Sequence, residues 1–183
     1  CLLEHKNLIT RKNRSDWFDY AKKMKTKYPI VKPEYWQYTN YVNTYCLLET
    51  ISAKMNANDV FVSGSSGSCI DISMQTFRVK KGQRAFCTKG LASMGYGLPS
   101  AIGACLASGG KRTVGVNGDG GFVMNIQELE TIHRLNLPIK IFVLSNSGYG
   151  AIQATQTNIF NRHYVACNRE SGLSLPDFTA VAS

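Results

Sequence analysis

Two periods of apolar residues alternate along most of this chain. Leu47, Leu48, Ile51 and Met55 recur at helical spacing and predict an amphipathic helix starting near Tyr41. Val60, Phe61 and Val62 make a short apolar strand, broken by the Ser/Gly run SGSSGS at 63–68, and Arg84–Thr88 predicts a second short strand. Met94–Ala107 carries Gly97, Ala101, Gly103 and Ala104 at close spacing and reads as a buried helix. Arg112–Val116 is a strand running into GDGG, and Asn125–Leu135 is a helix with Ile126, Leu129 and Ile132 on one face. Ile139–Leu144 reads as a continuous apolar strand, the pattern of a strand buried on both faces. Strand–helix–strand alternation predicts an α/β fold, a parallel sheet flanked by helices. There are no internal repeats.

The first forty residues differ. Trp17, Tyr20, Ala21 and Met24 predict one helix ended by Pro29, and the Pro- and aromatic-rich stretch to Tyr41 reads as extended. A boundary near residue 40 divides a lead-in, 1–40, from a domain, 41–183. Ser174-Leu-Pro-Asp-Phe reads as a helix start with Ser174 near the cap, only seven residues after Pro176 from the last residue, Ser183. That short helix, and a first residue that is Cys1 rather than Met, predict a piece of a longer protein.

Composition changes this picture little. At 183 residues and 44% hydrophobic content the chain is of ordinary globular make-up. It holds no apolar run long enough to predict a membrane span and no visible secretory leader. The six cysteines form no CxxC pair, and no His lies near a pair of them at zinc-ligand spacing. They read as reduced, mostly buried thiols of a cytoplasmic protein. The net charge of +9 raises a nucleic-acid reading, but residues 1–40 hold nine Lys/Arg against four acids, so over half the excess sits in one segment. A solvated helix face explains it, no base-reading motif accompanies it, and no nucleic-acid partner is expected.

The chemistry concentrates in the turn VNGDGG. Gly118, Gly120 and Gly121 permit a tight turn and close approach of a ligand. Amides at the start of the following helix suit a phosphate. Asp119 would repel phosphate unless a cation lay between them, which points to a Mg²⁺–phosphate site. Twenty-five residues separate Gly120 from Asn146 and contain one helix and one strand, so a βαβ unit places Asp119 and Asn146 at the C-terminal ends of adjacent strands. Asn146 offers an amide oxygen, and Gly148 a backbone carbonyl exposed by the turn SNSGYG. A dinucleotide fingerprint fits poorly, because the glycines of GVNGDGG are not spaced as GxGxxG. A non-catalytic phosphate- or nucleotide-binding module with the same fold stays open.

At these residues the chain resembles the thiamine-diphosphate (ThDP) enzymes, and among them the acetolactate synthase-like group. The family pattern is GDG, about 25–30 residues, then an Asn pair; here Ser145 replaces the first Asn and Asn146 keeps the second. The stretch GFVMNIQELETIHRLNLPIKIFVLSNSGYG is similar to that group along its length. The resemblance implies Asp119, Asn146 and the Gly148 carbonyl as Mg²⁺ ligands, with Gly118, Gly120, Gly121 and Tyr149 also at the cofactor. KGLASMGYGLPSAIGA, residues 89–104, looks like the family's Gly-rich segment. It implies Met94 as the apolar wedge that keeps the two cofactor rings bent, with Ser93 beside it and the Ala92 carbonyl holding the 4′-amino group. The weaker match at 63–68 implies Ser65, Ser66, Gly67 and Ser68 at the diphosphate; many synthases have Gln-His where this chain has Ser68-Cys69, which leaves the substrate open.

The resemblance further implies a diphosphate-binding (PP) domain that needs an activating Glu from a pyrimidine-binding (PYR) domain of a second subunit. This chain alone is therefore expected to be inactive, with Glu128 and Glu130 structural. The parent is expected to be a homodimer or homotetramer acting on a 2-oxo acid such as pyruvate, with FAD possible in the full-length protein.

Overall fold

The structure is a computed structural model that describes residues 13–65 and 67–183. Four parallel strands form one sheet: β1 (Val60–Ser63), β2 (Arg84–Cys87), β3 (Thr113–Gly118) and β4 (Ile139–Leu144), in the order β2-β1-β3-β4. Every pairing is parallel, with Val60 opposite both Arg84 and Thr113, and Thr113 opposite Ile139. All four strands therefore end at one edge of the sheet. The expected α/β architecture is present.

Helices cover the two faces. Period-two alternation along β1 sends Val60 and Val62 to one side, where they pack with Ala101 of α4 (Gly97–Ala107). Phe61 points to the other side, into a core of Leu48 and Ile51 from α2 (Thr44–Lys54), Met55 just after it and Cys69 from α3 (Gly67–Thr76). The Phe61 and Phe77 rings stack there, 4.0 Å between centroids. Leu48 and Leu98 are fully buried, and truncating either to Ala removes about 2–5 kcal/mol. Asn43 caps α2 by accepting from the Tyr45 N–H at 2.9 Å.

At the opposite edge, where β1 and β3 begin, Asp59 is buried and paired with Arg112, whose Nε donates at 3.0 Å. Burial alone would push the Asp59 carboxyl up. The Arg112 hydrogen bond, the Asn56 N–H and the charges of Arg112 and Lys80 outweigh it and hold the group below the usual carboxylate range.

Several sequence expectations need correction. β4 is an edge strand, alternately half-buried and exposed, rather than buried on both faces. Lys140 and Phe142 lie beside Val114 and Val116 on the face that α2 and α3 cover, but at this edge they are exposed. The helix expected at Asn125–Leu135 is present as α6 (Glu128–Arg134), three residues shorter at its start, and a separate short α5 (Asp119–Val123) precedes it. Leu129 and Ile132 of α6 are half-buried. α4 starts at Gly97, which leaves Met94 in the preceding turn.

α1 (Ser15–Lys27) is the helix expected from Trp17 and Tyr20, and it buries no residue. The stretch after it is not simply extended, because Pro33–Gln37 forms a 3₁₀ turn with Pro at its first position. α3 and α7 (Gly150–Ile159) were not anticipated. The terminal helix α8 (Phe178–Ala182) is capped by Asp177, which accepts from Thr179 and Ala180, rather than by Ser174. Among the described residues Cys46, Cys87, Cys105 and Cys167 carry free thiols, most of them buried. No helix among them is long and apolar enough to cross a membrane.

Candidate cofactor-binding site

The parallel register brings the sequence-predicted residues to one edge. β3 ends at Gly118 opposite Leu144 of β4, so Asp119 and Asn146 leave neighbouring strand ends. β1 ends beside them: an added Cβ on Gly64 would stand 2.3 Å from Asn117 Oδ1, one residue before the GDG turn. The Ser/Gly loop thus reaches the same edge, and the exposed residues Gly67 and Ser68 open α3 there. Ser65 is half-buried in the loop. Ser66 lies outside the described residues.

Asp119 is 2% exposed and tied to the backbone on three sides. Its Oδ1 accepts from the Gly120 N–H at 2.7 Å, and its Oδ2 accepts from the N–H groups of Asn146 at 3.0 Å and Gly148 at 3.2 Å. One carboxylate therefore fixes the turn after β3 and the turn after β4 together. Of its roughly four lone-pair sites three are used, leaving one for a further partner. The second amide of α5, that of Gly120, is consumed in this way, and α5 is only five residues long. The expected phosphate grip by that helix start is correspondingly reduced.

Asn146 is exposed, and its side chain completes the group. The Asn146 NH₂ donates to the Gly148 carbonyl oxygen at 2.8 Å and reaches Asp119 Oδ2 at 3.1 Å and Oδ1 at 3.2 Å. A cation among these groups would take the place of that NH₂, with the amide turned so that its oxygen faces inward. Octahedral Mg²⁺ at 2.0–2.1 Å from each ligand requires adjacent oxygens about 2.9 Å apart. The observed spacings match that edge length, and the donors are a carboxylate, an amide oxygen and a carbonyl, the set a hard cation takes. The residues present therefore fit the metal that the resemblance implies.

The glycines of the turn are required by contact. A Cβ on Gly120 would lie 2.3 Å from Tyr149 Cε1 and 3.2 Å from Met94 Cε, so Met94 and Tyr149 converge on the GDG turn. A Cβ on Gly148 would meet the Cys167 carbonyl at 2.5 Å and Gln153 Nε2 at 2.6 Å. Gly121 is half-buried with its nearest neighbour, the Gly95 nitrogen, 3.9 Å from such a Cβ. Ala92, Ser93 and Met94 form an exposed rim beside this floor. Ala92 holds φ at +51°, a left-handed conformation costing about 1–2 kcal/mol for a residue with a Cβ. Such strain is common where a backbone group must be aimed at a ligand.

Sequence reasoning missed three residues here. Asn125 donates from Nδ2 to the Gly95 carbonyl at 2.8 Å and so ties the Met94 turn to the segment after α5. Gln153 and Cys167 hold the Gly148 turn from behind. The only signal for Asn125 was a polar residue just after GDGGFVM; Cys167 lies 21 residues beyond Asn146, and no local pattern announced it. Glu128 accepts from the Thr131 hydroxyl at 2.9 Å, an intrahelical contact.

Comparison with known proteins agrees with this geometry. The family described as "Thiamine pyrophosphate enzyme, C-terminal TPP binding domain" matches residues 65–183. The acetolactate synthase large subunit of Cyanidium caldarium is 30% identical over 98% of this chain and 29% of its own length. The acetolactate synthase isozyme 2 large subunit of Escherichia coli K12 is 29% identical over 93% of this chain and 30% of its own length. A chloroplastic acetolactate synthase 2 of Zea mays is 40% identical over 59% of this chain and 18% of its own length. The chain spans under a third of the length of these relatives. With the GDG turn, its oxygen cluster and a family match over most of the parallel sheet, the chain belongs to the thiamine pyrophosphate enzymes, as an acetolactate synthase-like C-terminal TPP-binding domain.

Proposed function

We propose that this domain anchors thiamine diphosphate through a Mg²⁺ ion held by Asp119, Asn146 and the Gly148 carbonyl, in an enzyme that acts on 2-oxo acids. The observation that carries the reading is the meeting of the Asn146 side-chain amide with the Asp119 carboxylate and the Gly148 carbonyl, 2.8–3.2 Å from it. Asp119 contributes charge, Asn146 a neutral oxygen, and the buried Gly148 turn a fixed carbonyl. Ser65, Gly67 and Ser68 lie at the same sheet edge, where α3 presents its first amides to a diphosphate. Met94 and Ala92 form the rim, suited to bear on the cofactor rings. When bound, thiamine diphosphate supplies a carbon nucleophile and an electron sink at a 2-oxo carbon.

The same reading makes 1–40 the lead-in from a preceding domain and 41–183 the PP domain, supported by an α1 that buries nothing. The activating Glu belongs to the PYR domain of a second subunit, so the protein works as a homodimer or homotetramer and this chain alone is inactive. The reaction class is acetolactate synthase-like carboligation or decarboxylation, as transferase or lyase, with pyruvate as the model substrate. FAD, where used, contacts sequence outside this chain. The free thiols support a reducing compartment such as the cytoplasm.

Calorimetry on the full-length protein tests the anchor. Thiamine diphosphate should bind in the presence of Mg²⁺, weakly in EDTA, and poorly to Asp119→Ala under both conditions. Equal binding by wild type and Asp119→Ala would reject it. C2–H/D exchange above the free-cofactor rate by the isolated chain would reject the claim that a second domain is needed.

A further inference from the structure

The Gly148 carbonyl is a ligand supplied by the backbone, so its direction depends on how one peptide plane is held. That plane contains the Gly148 C=O and the Tyr149 N–H, which point in opposite directions across a trans peptide. The Tyr149 N–H donates to the Cys167 carbonyl at 2.8 Å. An acceptor fixed behind the turn therefore aims the Gly148 oxygen forward, toward the Asn146 side-chain amide. Gly148 and Asn168 form an antiparallel bridge at the same point.

The Cys167 carbonyl is itself held. Gln153 Nε2, one turn into α7, donates to it at 3.1 Å. Gln156, three residues further along the helix, grips the returning loop at both polar atoms of Val165. Its Oε1 accepts from Val165 N–H at 3.2 Å and its Nε2 donates to Val165 C=O at 3.3 Å. The buried Cys167 thiol also donates to Gln156 Oε1, at 3.0 Å. Ser171 Oγ accepts from the N–H groups of Cys167 at 3.0 Å and Asn168 at 3.1 Å, so the loop is braced from within.

We infer that Gln153 and Gln156 are positioning residues for the cation site: Gln153 fixes the Cys167 carbonyl and Gln156 holds the Val165–Cys167 segment that carries it, which orients the Gly148–Tyr149 peptide and hence the Gly148 oxygen. Neither side chain touches the cation. They act through a loop that returns to the site after α7. Outer partners that orient metal ligands commonly change affinity ten-fold or more when removed. The inference rests on the cation reading above.

The test measures Mn²⁺, as a Mg²⁺ substitute, by electron paramagnetic resonance in the full-length protein with saturating thiamine diphosphate. Gln153→Met and Gln156→Met keep the side-chain length and lose the hydrogen bonds. Each should weaken Mn²⁺ binding by about ten-fold, while the melting temperature without cation and cofactor stays near that of wild type. Gln153→Glu, which puts an acceptor against the Cys167 carbonyl, should weaken it at least as much and serves if Gln153→Met does not fold. Gln153→Lys, which restores a donor, should recover most of the affinity. Wild-type Mn²⁺ affinity in the Met and Glu variants would overturn the inference alone. Failure of the wild type itself to bind Mn²⁺ would overturn the cation reading and this inference with it.

Discussion

The side-chain amide of Asn146 lies 2.8 Å from the carbonyl oxygen of Gly148 and donates its NH₂ to it, with Asp119 alongside as a second acceptor. On the proposed reading a cation takes the place of that NH₂, and the amide turns its oxygen inward. Replacing Asn146 with Leu removes both the donor and the ligand oxygen. The concentration of Mg²⁺ needed for half-maximal thiamine diphosphate binding should then rise about ten-fold or more. An unchanged Mg²⁺ dependence in a titration followed by Tyr and Trp fluorescence would show that Asn146 is not a ligand.

Gly120 tests the packing of the turn. An Ala side chain there runs into the Tyr149 ring and approaches the Met94 methyl. Gly120→Ala should weaken cofactor binding by displacing Tyr149, whereas Gly120→Ala with Tyr149→Ala should recover part of the loss. The two changes should be non-additive by at least about 0.5 kcal/mol in a double-mutant cycle. Strict additivity would mean that the Tyr149 ring and Gly120 are independent in solution.

These two cases also show what was legible beforehand. The GDG turn, the following helix and strand, and Asn146 lie in one contiguous βαβ unit, so spacing alone was enough to place Asp119 and Asn146 together. β4 was misjudged because the length and general apolarity of IKIFVL outweighed its one charged residue, Lys140, which marks the exposed face of an edge strand. The helix at Asn125–Leu135 begins three residues late because helical spacing of Ile126, Leu129 and Ile132 does not show that residues 124–127 turn between α5 and α6. α7 escaped notice because Ala, Gln and Thr give no apolar stripe, and it buries no residue. The bracing of Gly148 by Cys167 joins residues far apart in sequence through backbone atoms, which carry no side-chain signature.

The Asp59–Arg112 pair ties the starts of β1 and β3, and its effect should depend on pH. The folded Asp59 carboxyl is held below its unfolded value of about 3.9. Its stabilisation is then present above about pH 4 and is lost as pH falls through the lower folded value. Asp59→Asn should cost about 1–2 kcal/mol at pH 7, less than a wholly buried pair because Arg112 is 39% exposed. Urea melts of both proteins at pH 7 and pH 2.5 should show the difference shrinking at low pH. A constant difference would place the cost of the substitution elsewhere.

Ala92 pays for its left-handed backbone with strain that glycine would not feel. Ala92→Gly should raise stability by about 0.5–1 kcal/mol, after allowing for the extra chain entropy of glycine in the unfolded state. Thermal melts without cofactor measure it directly. Destabilisation would mean that the φ of +51° is not kept in solution.

The central claim is that one cation joins Asp119, Asn146 and the Gly148 carbonyl to the diphosphate of the cofactor. Electron–nuclear double resonance of Mn²⁺ in the full-length protein with thiamine diphosphate tests it most directly. The account predicts phosphorus-31 couplings from directly bound diphosphate oxygens, and their loss together with tight Mn²⁺ binding in Asp119→Ala. Bound Mn²⁺ without phosphorus coupling, or the same spectrum in Asp119→Ala, would contradict it.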